Sequence, residues 1–222
     1  MKTIRKMKTI ICIMALLTVC LFGACGGDEF ELKEHLDYNV FTIGEEAITM
    51  KEASYYVMDR ESNYNKMATE KYPGKPEKYW DEYLLAAGTY FRTWVKEQAY
   101  DMCVCDNIYY QEAVANGYEL ELSEEIEAYQ LAEVVYEKMS KKQREQTGLT
   151  VDDLFVITKK SALRAVYVND LLKNKDFSEY QDTPEQALEI DGEYYSELEA
   201  KYNVQFNGDF WENLELGTLT IN

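Results

Sequence analysis

The 222-residue chain sets 23 lysines and arginines against 41 aspartates and glutamates, a formal net charge of −18. That excess of negative charge excludes nucleic acid and anionic lipid headgroups as favourable electrostatic partners. A 46% hydrophobic fraction over this length suits one sizeable domain with its own core, more than two small ones.

Residues 1–8 carry four cations and no acid, and 9–22 form an almost uninterrupted apolar run. This run, about 14 residues, is shorter than the roughly 20 that a membrane-spanning helix needs, and it ends in small residues instead of a charged stop, so it reads as a secretion signal. Its end, Leu21-Phe22-Gly23-Ala24-Cys25, resembles the lipobox of bacterial lipoproteins. In that family the cysteine sulfur receives a diacylglycerol and the signal is cut away. The usual leucine is displaced by one position, from Phe22 to Leu21. The resemblance implies that 1–24 is a lipoprotein signal, that Cys25 is lipidated, and that the protein is anchored on the extracytoplasmic face of the membrane. An ordinary secretory signal cut nearby is the alternative.

Without the first 24 residues, 19 basic and 41 acidic side chains remain, a formal charge of −22. Residues 25–38 are expected to be the acylated cysteine and a flexible tether, with His35, the sole histidine, in solvent. Cys103 and Cys105 are the cysteines left for the folded part. Two residues apart on a helix they point about 200° away from each other, so they are read as small core residues with no disulfide. No Cys-x-x-Cys pair is present, so no metal or cofactor is expected.

A β-prone run at 40–43, a Gly44-Glu45 turn and Ala47-Ile48 predict a hairpin within 39–49. Thr49 and Glu52 form a capping box for a helix carrying Met50, Ala53, Val57 and Tyr64, and Tyr72-Pro73-Gly74-Lys75-Pro76 breaks the chain after it. The stretch 77–116 reads as one long helix, or as two bent around Gly88, ending at Asn116-Gly117. Ser123 is expected to cap the next helix, with Glu124 and Glu125 in its first turn. Ile126, Leu131, Val134, Val135 and Met139 would face inward there, and Lys141-Lys142-Gln143-Arg144 would lie at its C-terminal end. Thr150 and Asp153 open a helix running to about Lys173, with Val151, Leu154, Phe155, Thr158, Ala162, Ala165, Val166 and Leu172 on one stripe. A polar linker at 174–192, apart from a capped turn at Thr183-Pro184-Glu185-Gln186, leads to a closing helix at 194–202. Asn203-Val204-Gln205-Phe206 then alternates as a strand that could join the hairpin. The fold class is mainly α, a single domain over 39–222 with a short β hairpin and a C-terminal helix and strand returning to it.

Three segments, in this order, resemble the chaperone module of SurA-type foldases, a helical domain of trigger-factor-like character whose relatives include the PrsA-type lipoproteins. They are Phe41-Thr42-Ile43-Gly44-Glu45-Glu46-Ala47-Ile48-Thr49-Met50-Lys51-Glu52, then Ala115-Asn116-Gly117-Tyr118-Glu119-Leu120-Glu121-Leu122-Ser123-Glu124-Glu125, then Thr147-Gly148-Leu149-Thr150-Val151-Asp152-Asp153-Leu154. The match spans most of 40–172. Family members that isomerise prolyl bonds insert a parvulin domain before the closing helix, where this chain has only the 174–192 linker, without histidine or cysteine. The resemblance therefore implies a chaperone without its own isomerase, whose partners are unfolded secreted proteins.

The residues agree with that reading in what they lack. No Gly-rich phosphate loop, Gly-x-Ser-x-Gly or Ser-x-x-Lys occurs, and Glu124-Glu125 and Asp152-Asp153 are explained by helix starts. No catalytic residue is assigned. A holding surface needs aromatic area instead, and the chain has 19 tyrosines. Tyr55, Tyr56, Tyr64, Trp80, Tyr83 and Tyr90 are the candidate client-binding surface. A scaffold or a solute- or peptide-binding lipoprotein of the envelope is the alternative, and the oligomeric state is open.

Overall fold

A computed structural model describes residues 31–207 and 210–219. The segment expected to be a signal, residues 1–24, and Cys25 lie outside the described residues. The chain is mainly helical with a small antiparallel sheet.

Strands β1 (Asn39–Ile43) and β2 (Glu46–Thr49) form the expected hairpin, and β5 (Gln205–Phe206) adds antiparallel to β1, placing Phe206 opposite Phe41. Helix α1 (Met50–Lys71) follows without a loop, because the Thr49 hydroxyl accepts from the Glu52 N–H at 3.2 Å. After the one-turn α2 (Glu77–Trp80), strands β3 (Tyr83–Leu84) and β4 (Thr89–Tyr90) make a second hairpin. Helix α3 (Phe91–Ala115) then runs ~37 Å through the centre. Residues 103–109 are buried without interruption, as befits a helix covered on all sides. Helices α4 (Leu122–Lys138), α5 (Lys141–Thr147) and α6 (Val151–Asn174) come next, followed by α7 (Pro184–Ala187), α8 (Glu193–Tyr202) and α9 (Phe210–Asn213). Helix α3 packs on α1 and α6, while α4 packs mainly along α6.

Four expectations change. The helix expected from residue 77 starts at Phe91: Gly88, at φ +68°, takes the left-handed conformation that turns β3 into β4, and the Tyr83 and Tyr90 rings meet edge-on at 5.4 Å across the hairpin. The apolar residues Trp80 and Leu84 mimic helical spacing there because they are four apart. The basic run does not end α4. Ser140 caps a separate helix, exchanging hydrogen bonds with Gln143, and the left-handed Gly148 closes it. The cap of α4 is Glu121, in a box with Glu124, and not Ser123. The fold also begins before residue 39. Leu32 is buried, the Leu36 carbonyl accepts from Lys51 N–H, and His35 packs half-buried against Tyr38 and Phe210 and so is not free in solvent.

The stretch 174–192 is packed as well. Phe177, Ala187 and Leu188 are buried, and the Tyr109 hydroxyl donates to the Leu188 carbonyl at 2.8 Å. Cys103 and Cys105 are free and buried, and burial pushes the Cys105 thiol up to about 12.

Candidate functional site

Two clusters of polar side chains inside the bundle lock the helices together. Lys160 of α6, 6% exposed, reaches Glu46 at 2.7 Å, Glu52 at 2.9 Å and the Asn107 Oδ1 at 2.7 Å. One turn along, Asp106 of α3 accepts from Arg164 at 2.6 Å, from Ser161 at 2.6 Å and from the Tyr56 hydroxyl at 3.2 Å. Each of these groups has its partners inside the fold, so the clusters fix α1, α3 and α6 in register. Among the described residues, no group of three or more histidines, cysteines, aspartates or glutamates is arranged to hold a metal ion.

Asp101 lies apart from both clusters. Half-buried on α3, its carboxyl is raised to about 6 by burial and then by Asp191, Glu199 and Glu97. A carboxyl raised on folding adds stability fully below about pH 3.9 and loses it as pH climbs through the folded value. Asp101→Asn is therefore expected to raise the melting temperature at about pH 7 and to flatten its pH dependence between about 4 and 6, readable by thermal unfolding in a buffer series.

The six aromatic residues divide. Tyr56 and Trp80 are fully buried, a correction to their assignment as client-binding surface. Tyr56 points into the Asp106 cluster, and Trp80 packs against Phe91 beneath the C-terminal segment. Tyr55 is half-buried, edge-on to Tyr56, with its phenol pushed up to about 12 by burial. Tyr64 is half-buried too, stacking edge-on against Phe91 while its hydroxyl donates to Gln98 at 3.2 Å. Only Tyr83 and Tyr90 stand out, 52% and 55% exposed on the β3–β4 hairpin. Leu85 at the hairpin tip is 89% exposed, and an apolar depression there runs over Leu84, Ala86, Ala87 and Trp94.

The larger apolar surface lies elsewhere, on the helix pair α4–α6. Residues Ile126, Leu131 and Val134, expected to face inward, are instead exposed. The reason is that α4 buries only Ala128 and Ala132, four residues apart, whose small side chains let it lie close along α6 with little else against it. Leu122, 74% exposed, and Tyr129 extend the surface. On one flank an open trough of about 460 Å³ is lined by Leu120, Ala128, Leu131, Ala162, Ala165 and Val166. On the other, Ile126 and Tyr129 meet Phe155, the two rings edge-on at 5.4 Å. An apolar surface rimmed by polar groups is the kind that contacts a protein, a membrane or a ligand. The spacing of Ala128 and Ala132 is the signal in the sequence that could have located it.

Among the described residues no helix is long and apolar enough to cross a membrane. Compared with known protein families, curated proteins and solved structures, the chain matches none.

Proposed function

We propose that this protein is a lipid-anchored, extracytoplasmic holding chaperone of the SurA type, built without a prolyl isomerase domain. The observation that carries the reading is the apolar surface of α4–α6: a helix buries two alanines and turns Leu122, Ile126, Tyr129, Leu131 and Val134 to water. Leaving so much apolar area exposed forgoes about 25 cal/mol for every Å² that packing would have removed from water, which is reasonable where the surface is needed for transient contacts. The exposed hairpin of Tyr83, Leu85 and Tyr90 is a second contact point of the same character. The resemblance in segment order to SurA-type modules is supported by the return of β5 onto β1, which brings the strand after helix α8 back to the first hairpin. Clients are unfolded secreted proteins, held by weak apolar contacts and released to fold.

The test is suppression of client aggregation by the purified chain, followed by light scattering. Ile126→Ser, Leu131→Ser and Val134→Ser combined are expected to abolish most of the suppression. Because all three side chains are exposed, each should cost the fold less than about 0.5 kcal/mol. Full suppression by a correctly folded triple variant would remove α4 as the holding surface. Catalysis of prolyl isomerisation in a parallel assay would overturn the assignment as a chaperone without isomerase, and mass spectrometry of the mature N-terminus tests acylation at Cys25.

A further inference from the structure

We propose that the α4–α6 surface selects cationic apolar segments: client stretches in which apolar side chains sit beside lysine or arginine. This deepens the holding reading above and rests on it. From Glu119 to Glu137 the chain has seven glutamates and no lysine or arginine. Four of them border the apolar surface on its two flanks, Glu124 and Glu127 along the trough with Ala128 and Leu131, Glu125 and Glu133 beside Ile126 and Tyr129.

Helix energetics account for only some of these charges. Glu121 and Glu124 form the N-terminal capping box, and Glu124 and Glu125 lie in the first turn where the dipole favours anions. Glu125 also pairs with Lys159 of α6. Glu137 sits in the last turn, where the dipole disfavours it, and neither it nor Glu127 or Glu133 forms an ion pair with a cation among the described residues. Glu127, beside the floor formed by Ala128, Ala162 and Ala165, and Glu133, beside Ile126 and Tyr129 on the other flank, instead place negative potential where the cations flanking a client's apolar residues would lie. Complementary charge of this kind sets partner choice and on-rate, and it is screened by salt.

Three labelled peptides of one apolar framework, carrying lysine, glutamine or glutamate at the same positions, should be titrated against the purified chain by fluorescence anisotropy. The lysine peptide is expected to bind about tenfold tighter than the glutamine one at low salt, with the advantage shrinking to about twofold at half-molar salt. Glu127→Gln, Glu133→Gln and Glu137→Gln together, which leave the capping box intact, should erase the advantage and leave glutamine-peptide binding unchanged. Removing equal charge elsewhere, with Glu179→Gln, Glu185→Gln and Glu189→Gln, should preserve it. If the lysine and glutamine peptides bind equally, selectivity is overturned while holding stands. A lysine advantage that survives the α4 variant, or falls equally in the control, overturns the location. If no peptide binds, the holding reading falls with it.

Discussion

Lys160→Met is expected to lower the melting temperature by roughly 10–15 °C, a loss of about 3–5 kcal/mol in a domain of this size. The ammonium lies where α6 crosses β2, α1 and α3, and its contacts bring together two carboxylates, Glu46 and Glu52, with the Asn107 side chain. Asn107 is itself committed, donating to Glu52 at 3.1 Å and to the Cys103 carbonyl at 2.9 Å. Methionine fills the volume of the lysine stem but leaves Glu52 partly buried beside Glu46 with no cation. Much of the cost is thus the uncompensated charge, and adding Glu52→Gln should recover part of it, since the amide oxygen still accepts from Asn107. The pH dependence has a definite sign. Burial alone would lower the Lys160 pKa, but the charges and hydrogen bonds of Glu52 and Glu46 outweigh it and raise the value. The contribution is therefore fully present below about pH 10.4 and is lost as pH rises through the raised folded value, so the wild-type chain should lose its margin over Lys160→Met only in strong alkali. Thermal melts of wild type, the single and the double variant decide it; a single variant melting within about 2 °C of wild type would mean that the cluster holds little of the fold.

Lys160 also illustrates what the sequence leaves hidden. In chain order it stands in Thr158-Lys159-Lys160-Ser161, where one lysine pairs near the surface with Glu125 and its neighbour is buried among carboxylates from two other elements. Nothing local separates the two; long-range packing does. Local chemistry was legible where it decides the structure by itself. The Thr49 cap and the box of Thr150 with Asp153 start helices where expected, although the Glu52 carboxylate goes to Lys160 and Asn107 instead of closing the first box, and the strand at Gln205–Phe206 returns to the first hairpin. Helical spacing misleads where it is necessary but not sufficient. Leu84, Leu85, Ala86 and Ala87 favour helix, yet a left-handed glycine and a pair of tyrosine rings turn them into a hairpin tip. Ile126, Leu131 and Val134 look like core residues because a sequence shows amphipathicity without showing whether a second partner exists to cover it. Of the aromatic surface only Tyr83 and Tyr90 are open, for an aromatic ring in a helix stripe is equally at home inside.

Glu61→Ala is expected to release the C-terminal segment, costing roughly 2–4 kcal/mol and lowering the melting temperature by roughly 5–10 °C. Glu61 is a fully buried carboxylate on α1, and three successive backbone amides close on it: Gly217 at 2.5 Å and Thr218 at 3.1 Å on Oε1, Leu219 at 3.0 Å on Oε2. Hydrogen bonds to an ionised acceptor are the stronger kind, and removing the acceptor leaves three donors without it at once, that of Leu219 buried. The segment can then peel away and rehydrate its amides, so the loss is capped at the free energy of docking it. That docking covers Trp80 and buries Leu214, Leu216 and Leu219. Gly217 provides an independent route to the same lesion. It sits at φ +88° with its α-carbon against the indole, and a β-carbon there would come within 2.7 Å of the Trp80 ring. Gly217→Ala should therefore loosen the segment while leaving the Glu61 carboxylate in place. Hydrogen exchange reads both variants directly: the amides of Gly217, Thr218 and Leu219 should be protected in the wild-type chain and exchange freely in either variant, with the amides of α3 unchanged. Protection that persists in Glu61→Ala would show that the leucines and the Arg92 pairs with Asp81 and Glu215 hold the segment without the carboxylate.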